Sequence, residues 1–233
     1  MIILAINRFS IFMIEVPCYI NMQKLYSIPV LIWFFLTGCR ERSNPIPAAL
    51  TFNDTTTPFK REIPTYIAGG IDIFYTLAKA KQKQLGLDSL ENGFNNLQIR
   101  VWYDFALVRE RKLVVITNKG TSWAATVYDL QVKWADRTET VLSKKISRPV
   151  PKSGWARFSQ ELLSLQLLTL PDQNDIPHYD ADTDGRTYNV EIATSRQYRF
   201  YGYWEPEEYQ DKFWQAKNIV GMLDLFRREL GVD

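Results

Sequence analysis

Cysteine and histidine are nearly absent from this chain of 233 residues, which contains two cysteines and one histidine. Both cysteines, Cys18 and Cys39, precede residue 40, so the remainder of the chain contains no disulfide. This scarcity excludes zinc sites built from several histidine or cysteine ligands. A domain without disulfides must be stabilised by its own core, and the chain is long enough to form one.

Other familiar signatures of chemistry are also missing. The sequence contains no phosphate-binding glycine loop and no nucleophile elbow. The single histidine, His178, lies in an acidic loop, where a surface position is the simplest interpretation. The formal net charge of +2 gives no electrostatic case for nucleic-acid binding. Chemistry by paired carboxylates is compatible with the composition, although no pair of acids stands out.

The most apolar stretch, "LIWFFLTGC" at residues 31–39, is followed at once by the polar residues "RERSN". A transmembrane helix needs about twenty apolar residues, and this run is too short. A basic residue, Lys24, precedes the apolar residues 27–36, and the small residues Thr37 and Gly38 follow them. That order is typical of a secretory signal peptide.

The end of this stretch, Leu36-Thr37-Gly38-Cys39, resembles the lipobox of bacterial lipoproteins. The resemblance implies that residues 22–38 are a signal peptide and that Cys39 becomes the first residue, carrying diacylglycerol and an N-acyl chain such as palmitate. The partner of Cys39 would then be the lipid bilayer of a bacterial cell envelope, with the domain outside the cytoplasm. The alternatives are an ordinary signal peptide and a buried apolar strand.

Residues 1–21 do not fit this scheme, because they would make the segment before the apolar region far too long. We expect translation to start at Met22. If residues 1–21 are translated, the two successive apolar segments would form an N-terminal membrane hairpin.

Beyond the signal, composition and periodicity predict two parts. Residues 39–65 are rich in Asn, Thr and Pro and are predicted to be a flexible tether. Residues 66–233 are predicted to be a single α+β domain with the element order α-β-β-β-α-β-β-α. Its antiparallel sheet of about five strands, a meander plus a hairpin, would carry the helices on one face.

The predicted helices cover residues 68–85, 155–168 and about 206–230. In the first, Lys79, Lys81 and Lys83 are expected to lie toward water, and Gly86 ends the helix. The last helix starts at Pro206, and its apolar stripe is expected to supply much of the core. Removal of Val232 and Asp233 after this helix is predicted to have almost no effect.

An acidic loop contains Asp180, Asp182 and Asp184, followed by Gly185. Carboxylates at alternate positions before a glycine resemble the first half of an EF-hand calcium loop. The twelfth position is Ile192, where a calcium loop has glutamate, so the resemblance is incomplete. The alternative is an acidic surface loop whose Asp-Gly turn begins a hairpin. Ca²⁺ is the only cofactor that the sequence brings into question.

Arginine and aromatic residues lie on strand positions opposite the inferred core. In the first strand of the meander, the alternation predicts that Leu97, Ile99 and Val101 face the core, so that Arg100 and Trp102 lie opposite it. In the last hairpin, the residues opposite the core are Arg199, Tyr201 and Tyr203. If these strands are neighbours, the residues would form one face of the types favoured at binding hot spots. The alternatives are cross-strand pairing that only stabilises the sheet, and cover by a helix.

The combination of "LQIRVWYD" with "DGRTYNVEIA" and "YRFYGYWEP" is similar to uncharacterised bacterial envelope lipoproteins, a resemblance that assigns no residue a role. The sequence therefore favours a membrane-anchored envelope lipoprotein whose non-enzymatic domain binds a protein or glycan. The alternative is an envelope hydrolase that uses paired carboxylates.

Overall fold

The computed structural model describes residues 57–65, 70–105, 108–135, 138–180 and 185–233. These ranges contain seven β-strands, four α-helices and one 3-10 helix, Gln173–Asp175. The strands are β1 Lys60–Glu62, β2 Leu97–Phe105, β3 Glu110–Asn118, β4 Trp123–Ala135, β5 Thr138–Ser147, β6 Arg186–Thr194 and β7 Gln197–Trp204. The helices are α1 Ile73–Leu85, α2 Trp155–Ser164, α3 Pro206–Tyr209 and α4 Trp214–Leu230.

The strands form one sheet in the order β1-β7-β6-β2-β3-β4-β5. Strands β2 to β5 make an antiparallel meander, and the β6–β7 hairpin pairs with the other side of β2. Strand β1 joins the edge of β7 in parallel. The mixed helix-and-strand class predicted from the sequence is confirmed, whereas the prediction of about five antiparallel strands in the order α-β-β-β-α-β-β-α is wrong in number and order.

The two strands that were not predicted lie at opposite edges of the sheet. Strand β1 has only three residues and falls within the segment predicted as a tether. Strand β5 has a single buried residue, Glu139, so its sequence "TETVLSKKIS" lacks the apolar alternation that marks a half-buried strand. Both strands depend on backbone pairing with a neighbour, which is a tertiary contact.

One face of the sheet packs on α2 and α4. The β2 residues Leu97, Ile99 and Val101 lie in this core together with Phe158 of α2 and Phe226 of α4. The predicted inward face of β2 is therefore confirmed. Burial of such side chains is the dominant stabilising contribution, worth about 1.5–3 kcal/mol for each large apolar residue.

Helix α1 covers the opposite face, so the prediction that helices occupy one face is wrong. Tyr75 and Ala78 of α1 pack with Trp102, Leu113 and other buried residues in a second core. The cause is the central position of β2, which lies between β6 and β3 and is buried on both sides. Its polar and aromatic residues resemble a solvent face in sequence, but they lie beneath a helix.

Caps define both ends of α1. Asp72 accepts hydrogen bonds from the backbone N–H groups of Phe74 and Tyr75 and caps the N-terminus. Gly86, at φ 70°, ends the helix in the left-handed conformation, as the sequence predicts.

The C-terminal helix differs from its prediction. Helix α3 ends at Tyr209 and α4 begins at Trp214, so the single predicted helix is broken. After Gly231, the backbone N–H of Val232 donates to Phe226 O at 3.3 Å, and the Val232 side chain is buried in the core. Apolar contact by the residue after the glycine commonly accompanies such a helix end. The burial of Val232 argues against the expectation that removal of Val232 and Asp233 has almost no effect.

Candidate functional site

The five residues predicted to form one binding face lie on opposite faces of the sheet. Arg100 and Trp102 are buried beneath α1, with relative exposures of 2% and 1%. Tyr201 and Tyr203 belong to the core on the α2–α4 side, and the Arg199 side chain is 12% exposed. The predicted common face does not form, and these side chains offer little accessible surface.

Strand register explains the error. Ile99 lies opposite Ile192, and Ile192 lies opposite Arg199. Residues that lie directly opposite each other share a face, so Arg199 lies with Ile99 on the face that packs on α2 and α4. Tyr201 and Tyr203 follow it at alternate positions and face the same way.

On that side, the three β7 residues hold the segment that follows α2. Arg199 donates to the backbone oxygens of Leu168 and Leu170 at 2.6 Å each. The hydroxyl groups of Tyr201 and Tyr203 donate to Leu167 O and Pro171 O at 2.7 Å. These side chains satisfy the carbonyl groups of a loop and thereby have a structural role.

Beneath α1 lies a buried group of four charges, the Lys81 cluster, formed by Lys81, Asp104, Arg111 and Glu139. Lys81 is fully buried and pairs with Asp104, and its Nζ lies 3.0 Å from Glu139 Oε2. This last contact is an ion pair only, because Oε2 has no hydrogen-bond partner among the described residues. Arg111 donates to Glu139 Oε1 from Nε at 2.9 Å and from Nη2 at 2.5 Å. Two cations and two anions make the cluster neutral.

A second group, the Glu191 cluster, lies along the same face. Glu191 is fully buried and pairs with Lys79, and Arg100 Nη1 lies 3.4 Å from Glu191 Oε2. Tyr198 donates its hydroxyl proton to Glu191 Oε1 at 3.0 Å. Burial, and then the charge of Glu191, raises the pKa of Tyr198 far above its usual value, so its hydroxyl remains a donor. Glu91 lies 3.7 Å from Lys79 and completes the cluster.

Both clusters overturn the expectation that Lys79 and Lys81 lie toward water. Their charges are compensated by acids on strands distant in sequence, and such compensation is what burial of a charge requires. The clusters join α1 to β2, β3, β5 and β6. Most of their side chains are buried and paired with one another, and the role that this arrangement supports is structural.

A small cleft beside α1 brings two carboxylates together. Asp72, which caps α1, and Asp172, which caps the 3-10 helix, both line it. Asp172 also accepts a hydrogen bond from the Gly202 N–H at 2.9 Å. Burial raises the pKa of Asp172 to about 6 and also raises the pKa of Asp72. The space between them is about that of one water molecule.

The other predicted site residues are Cys39 and the three aspartates of the acidic loop. Asp182, Asp184 and Cys39 lie outside the described residues. Asp180 is exposed, and its backbone oxygen accepts a hydrogen bond from Tyr209 at 2.7 Å. His178 is exposed. Across the described ranges, no three His, Cys, Asp or Glu side chains converge as metal ligands, and calcium binding stays a prediction.

Strands β4 and β5 and the residues after them carry four of the nine large apolar side chains that are exposed among the described residues. Four large apolar side chains are exposed here: Trp134 by 53%, Leu142 by 61%, Ile146 by 43% and Val150 by 68%. Four exposed cations accompany them, namely Lys144, Lys145, Arg148 and Lys152. Sequence reasoning missed this region because β5 itself was missed. The available signal was its content of β-branched residues, such as Thr138, Thr140, Val141 and Ile146.

Comparison of the chain with protein-family models, with curated proteins and with solved structures gave no match. None of the helices in the described ranges is long and apolar enough to cross a membrane.

Proposed function

We propose that this protein is a lipid-anchored binding protein of the bacterial cell envelope. The sequence Leu36-Thr37-Gly38-Cys39 supports lipidation at Cys39, and the residues between Cys39 and β1 would connect the lipid to the domain. In this proposal, the domain binds another protein through the β4–β5 end of its sheet.

The observation that carries the binding role is the exposed apolar and basic surface of β5 and the residues after it. Leu142, Ile146 and Val150 are exposed along one short stretch of chain, and exposed apolar surface is a common feature of interaction sites. Helices pack on both faces of the central strands, whereas most side chains of the edge strand β5 remain exposed. A protein partner is favoured over a glycan because an edge strand presents backbone hydrogen-bonding groups that match another backbone.

The hydrolase alternative receives less support from the cleft at Asp72 and Asp172. Both oxygens of Asp172 accept backbone hydrogen bonds, and Asp72 caps a helix. An inverting glycosidase places its carboxyl groups about 6.5–9.5 Å apart around a sugar and a water molecule. A cleft with room for one water molecule does not admit a sugar ring between the acids.

In-cell cross-linking tests the proposed function. The full chain would carry a photo-activated amino acid at Ile146 in β5, and a matched variant would carry it at the exposed Asp224 of α4. We expect light-dependent adducts with a discrete envelope protein from position 146 and few from position 224. Adducts of equal pattern at both positions, or none at position 146, would contradict the proposal.

A further inference from the structure

The direction of the backbone groups in β5 follows from the register of the sheet. The N–H of Val132 in β4 donates to Arg109 O on the β3 side, so the odd-numbered β4 residues direct their groups toward β5. Odd-numbered β4 residues lie opposite Ser143, Lys145 and Ser147. These three residues therefore bond to β4.

The intervening residues, Lys144 and Ile146, direct their N–H and C=O groups away from β4. In the part of the chain that the structure describes, no strand pairs with this outer edge of β5. An edge of this kind is a template for another strand.

In the first half of the same edge, the side-chain amide of Gln84 forms the hydrogen bonds that a neighbouring strand would form. Gln84 of α1 accepts a hydrogen bond from the Val141 N–H at 2.7 Å and donates to Glu139 O at 2.8 Å. The primary amide of glutamine thus pairs with the edge as a peptide group does. The register shifts after this point. Farther along β5, Lys144 Nζ donates to Leu85 O of α1 at 3.5 Å, a contact that does not use the backbone groups of the edge.

The charge of this second half indicates what can pair with it. Residues 142–152, "LSKKISRPVPK", contain four cations and no acid. A second copy of the chain, paired antiparallel on the same edge, would bring lysines of the two β5 strands together, and like charges opposite each other are destabilising. A strand that carries acids would instead be attracted.

We infer that the outer edge of β5 binds an extended, acidic segment of another protein, which adds to the sheet as a further strand at Lys144 and Ile146. The backbone groups of these two residues supply the hydrogen bonds. The exposed Ile146 and Leu142 supply apolar contact, and the neighbouring cations select acidic side chains. This inference rests on the proposed function and names the class of partner.

The test uses a labelled eight-residue peptide with alternating Glu and Val and blocked ends, added to the detergent-solubilised full chain. We expect saturable binding that weakens as salt is raised, and much weaker binding of the matched Lys-Val peptide. On binding, amide hydrogen exchange should slow at Lys144 and Ile146 and remain unchanged at Lys145, which already bonds to β4.

Substitutions at Ile146 separate the backbone contribution from folding. Ile146→Pro removes an outward N–H without removing a bond to β4, and proline is tolerated on an edge strand. We expect its melting temperature to stay near that of the wild type while peptide binding weakens at least about fivefold. Ile146→Val keeps the N–H and the apolar side chain and should bind nearly as well as the wild type.

Four results would overturn strand addition. They are equal binding of the Lys-Val peptide, unchanged binding by a folded Ile146→Pro variant, dimers that form through β5 in light scattering, and binding to phosphatidylglycerol vesicles without peptide binding. Cross-links at position 146 in cells without binding of the acidic peptide would refute this inference and leave the proposed function standing. Absence of those cross-links would refute the proposed function itself.

Discussion

Gln84 and Val141 are joined by a hydrogen bond of 2.7 Å between the glutamine side-chain oxygen and the valine backbone N–H. A second bond, from the same side chain to Glu139 O, makes the contact two-pronged. Through it, α1 closes part of an edge that would otherwise be available to other strands. Natural sheets protect their edges by such local devices.

Gln84→Ala is therefore expected to increase self-association clearly while it lowers the free energy of unfolding only slightly. The free energy of unfolding should fall by about 1 kcal/mol, because one of the two lost hydrogen bonds is exposed to water and the other is only partly buried. Light scattering during incubation near the melting temperature should rise relative to the wild type. Lys83→Ala, a change at the exposed neighbouring position, is the control, and equal scattering by the two variants would refute the protective role.

The Lys81 cluster predicts a large effect from the loss of one charge. Lys81→Met keeps the length of the side chain but leaves Asp104 and Glu139 with only Arg111 as a buried cation. Breaking a buried ion pair in this way costs about 3–5 kcal/mol of unfolding free energy, measurable by urea denaturation.

The matched control for Lys81→Met is an exposed pair. Asp224 Oδ1 lies 2.8 Å from Arg227 Nη1, and the two side chains are 55% and 59% exposed. Asp224→Asn should change the unfolding free energy by less than about 1 kcal/mol. Similar losses in the two variants would show that the Lys81 cluster does not stabilise the fold as its burial indicates.

Asp172 predicts a specific pH dependence of stability. Its pKa is raised from 3.8 to about 6, mainly by burial, so the folded state holds this proton more tightly than the unfolded chain. The contribution to stability is complete below about pH 4 and is lost as the pH rises through about 6. A carbon-13 NMR titration should give a midpoint near 6 for the Asp172 carboxyl group. A midpoint at the ordinary value for aspartate would contradict the buried environment.

The buried side of α4 predicts that alanine substitutions lower the unfolding free energy by amounts that follow the burial of each side chain. Leu223→Ala removes a buried side chain and should cost about 2–5 kcal/mol in urea denaturation. Phe213→Ala should lower the unfolding free energy by less than the same change at a fully buried phenylalanine, because Phe213 is only partly buried at the start of the helix.

Deletion of the C-terminal residues gives a separate prediction: removal of Val232 together with Asp233 should lower stability, whereas removal of the exposed Asp233 alone should not. Equal stability of the two C-terminal truncations would argue against the buried position of Val232.

Lipidation at Cys39 predicts how the protein fractionates. The lipidated chain should enter the detergent phase, because several acyl chains together hold a protein stably at a membrane. Cys39→Ser should abolish incorporation of labelled fatty acid, and Ser43→Ala, a change shortly after the lipidated position, is the control that should leave it unchanged. Mass spectrometry of the native N-terminus provides the decisive measurement. An unmodified Cys39 or peptides from residues 1–21 would contradict the expectation.

Local patterns predicted the parts of the fold that depend on neighbours in sequence. The alternation of Leu97, Ile99 and Val101 identified the inward face of β2, and Gly86 identified the end of α1. Strand β5 was missed because only Glu139 in it is buried. Strand β5 forms because its backbone pairs with the second half of the long strand β4, and this contact is not encoded in the alternation of its own sequence.

The candidate site was less predictable than the fold. A lysine on the polar side of a helix normally lies in water, and the burial of Lys81 depends on Asp104 and Glu139, which are remote in sequence. Arg199 was assigned to the wrong face because the register between β6 and β7 is set by their turn and not by composition. The exposed edge becomes visible only when the strand order is known.

The neutral balance of the Lys81 cluster also constrains how this sequence can evolve. A change at Asp104 or Glu139 alone passes through a folded state with an unpaired buried charge, so single steps at these positions are strongly selected against. Replacement of a cation together with its acid by apolar residues avoids that penalty. In diverged sequences of the same fold, the positions of Lys81, Asp104, Arg111 and Glu139 are therefore expected to vary in concert, and they would form a correlated set in any alignment deep enough to reveal one.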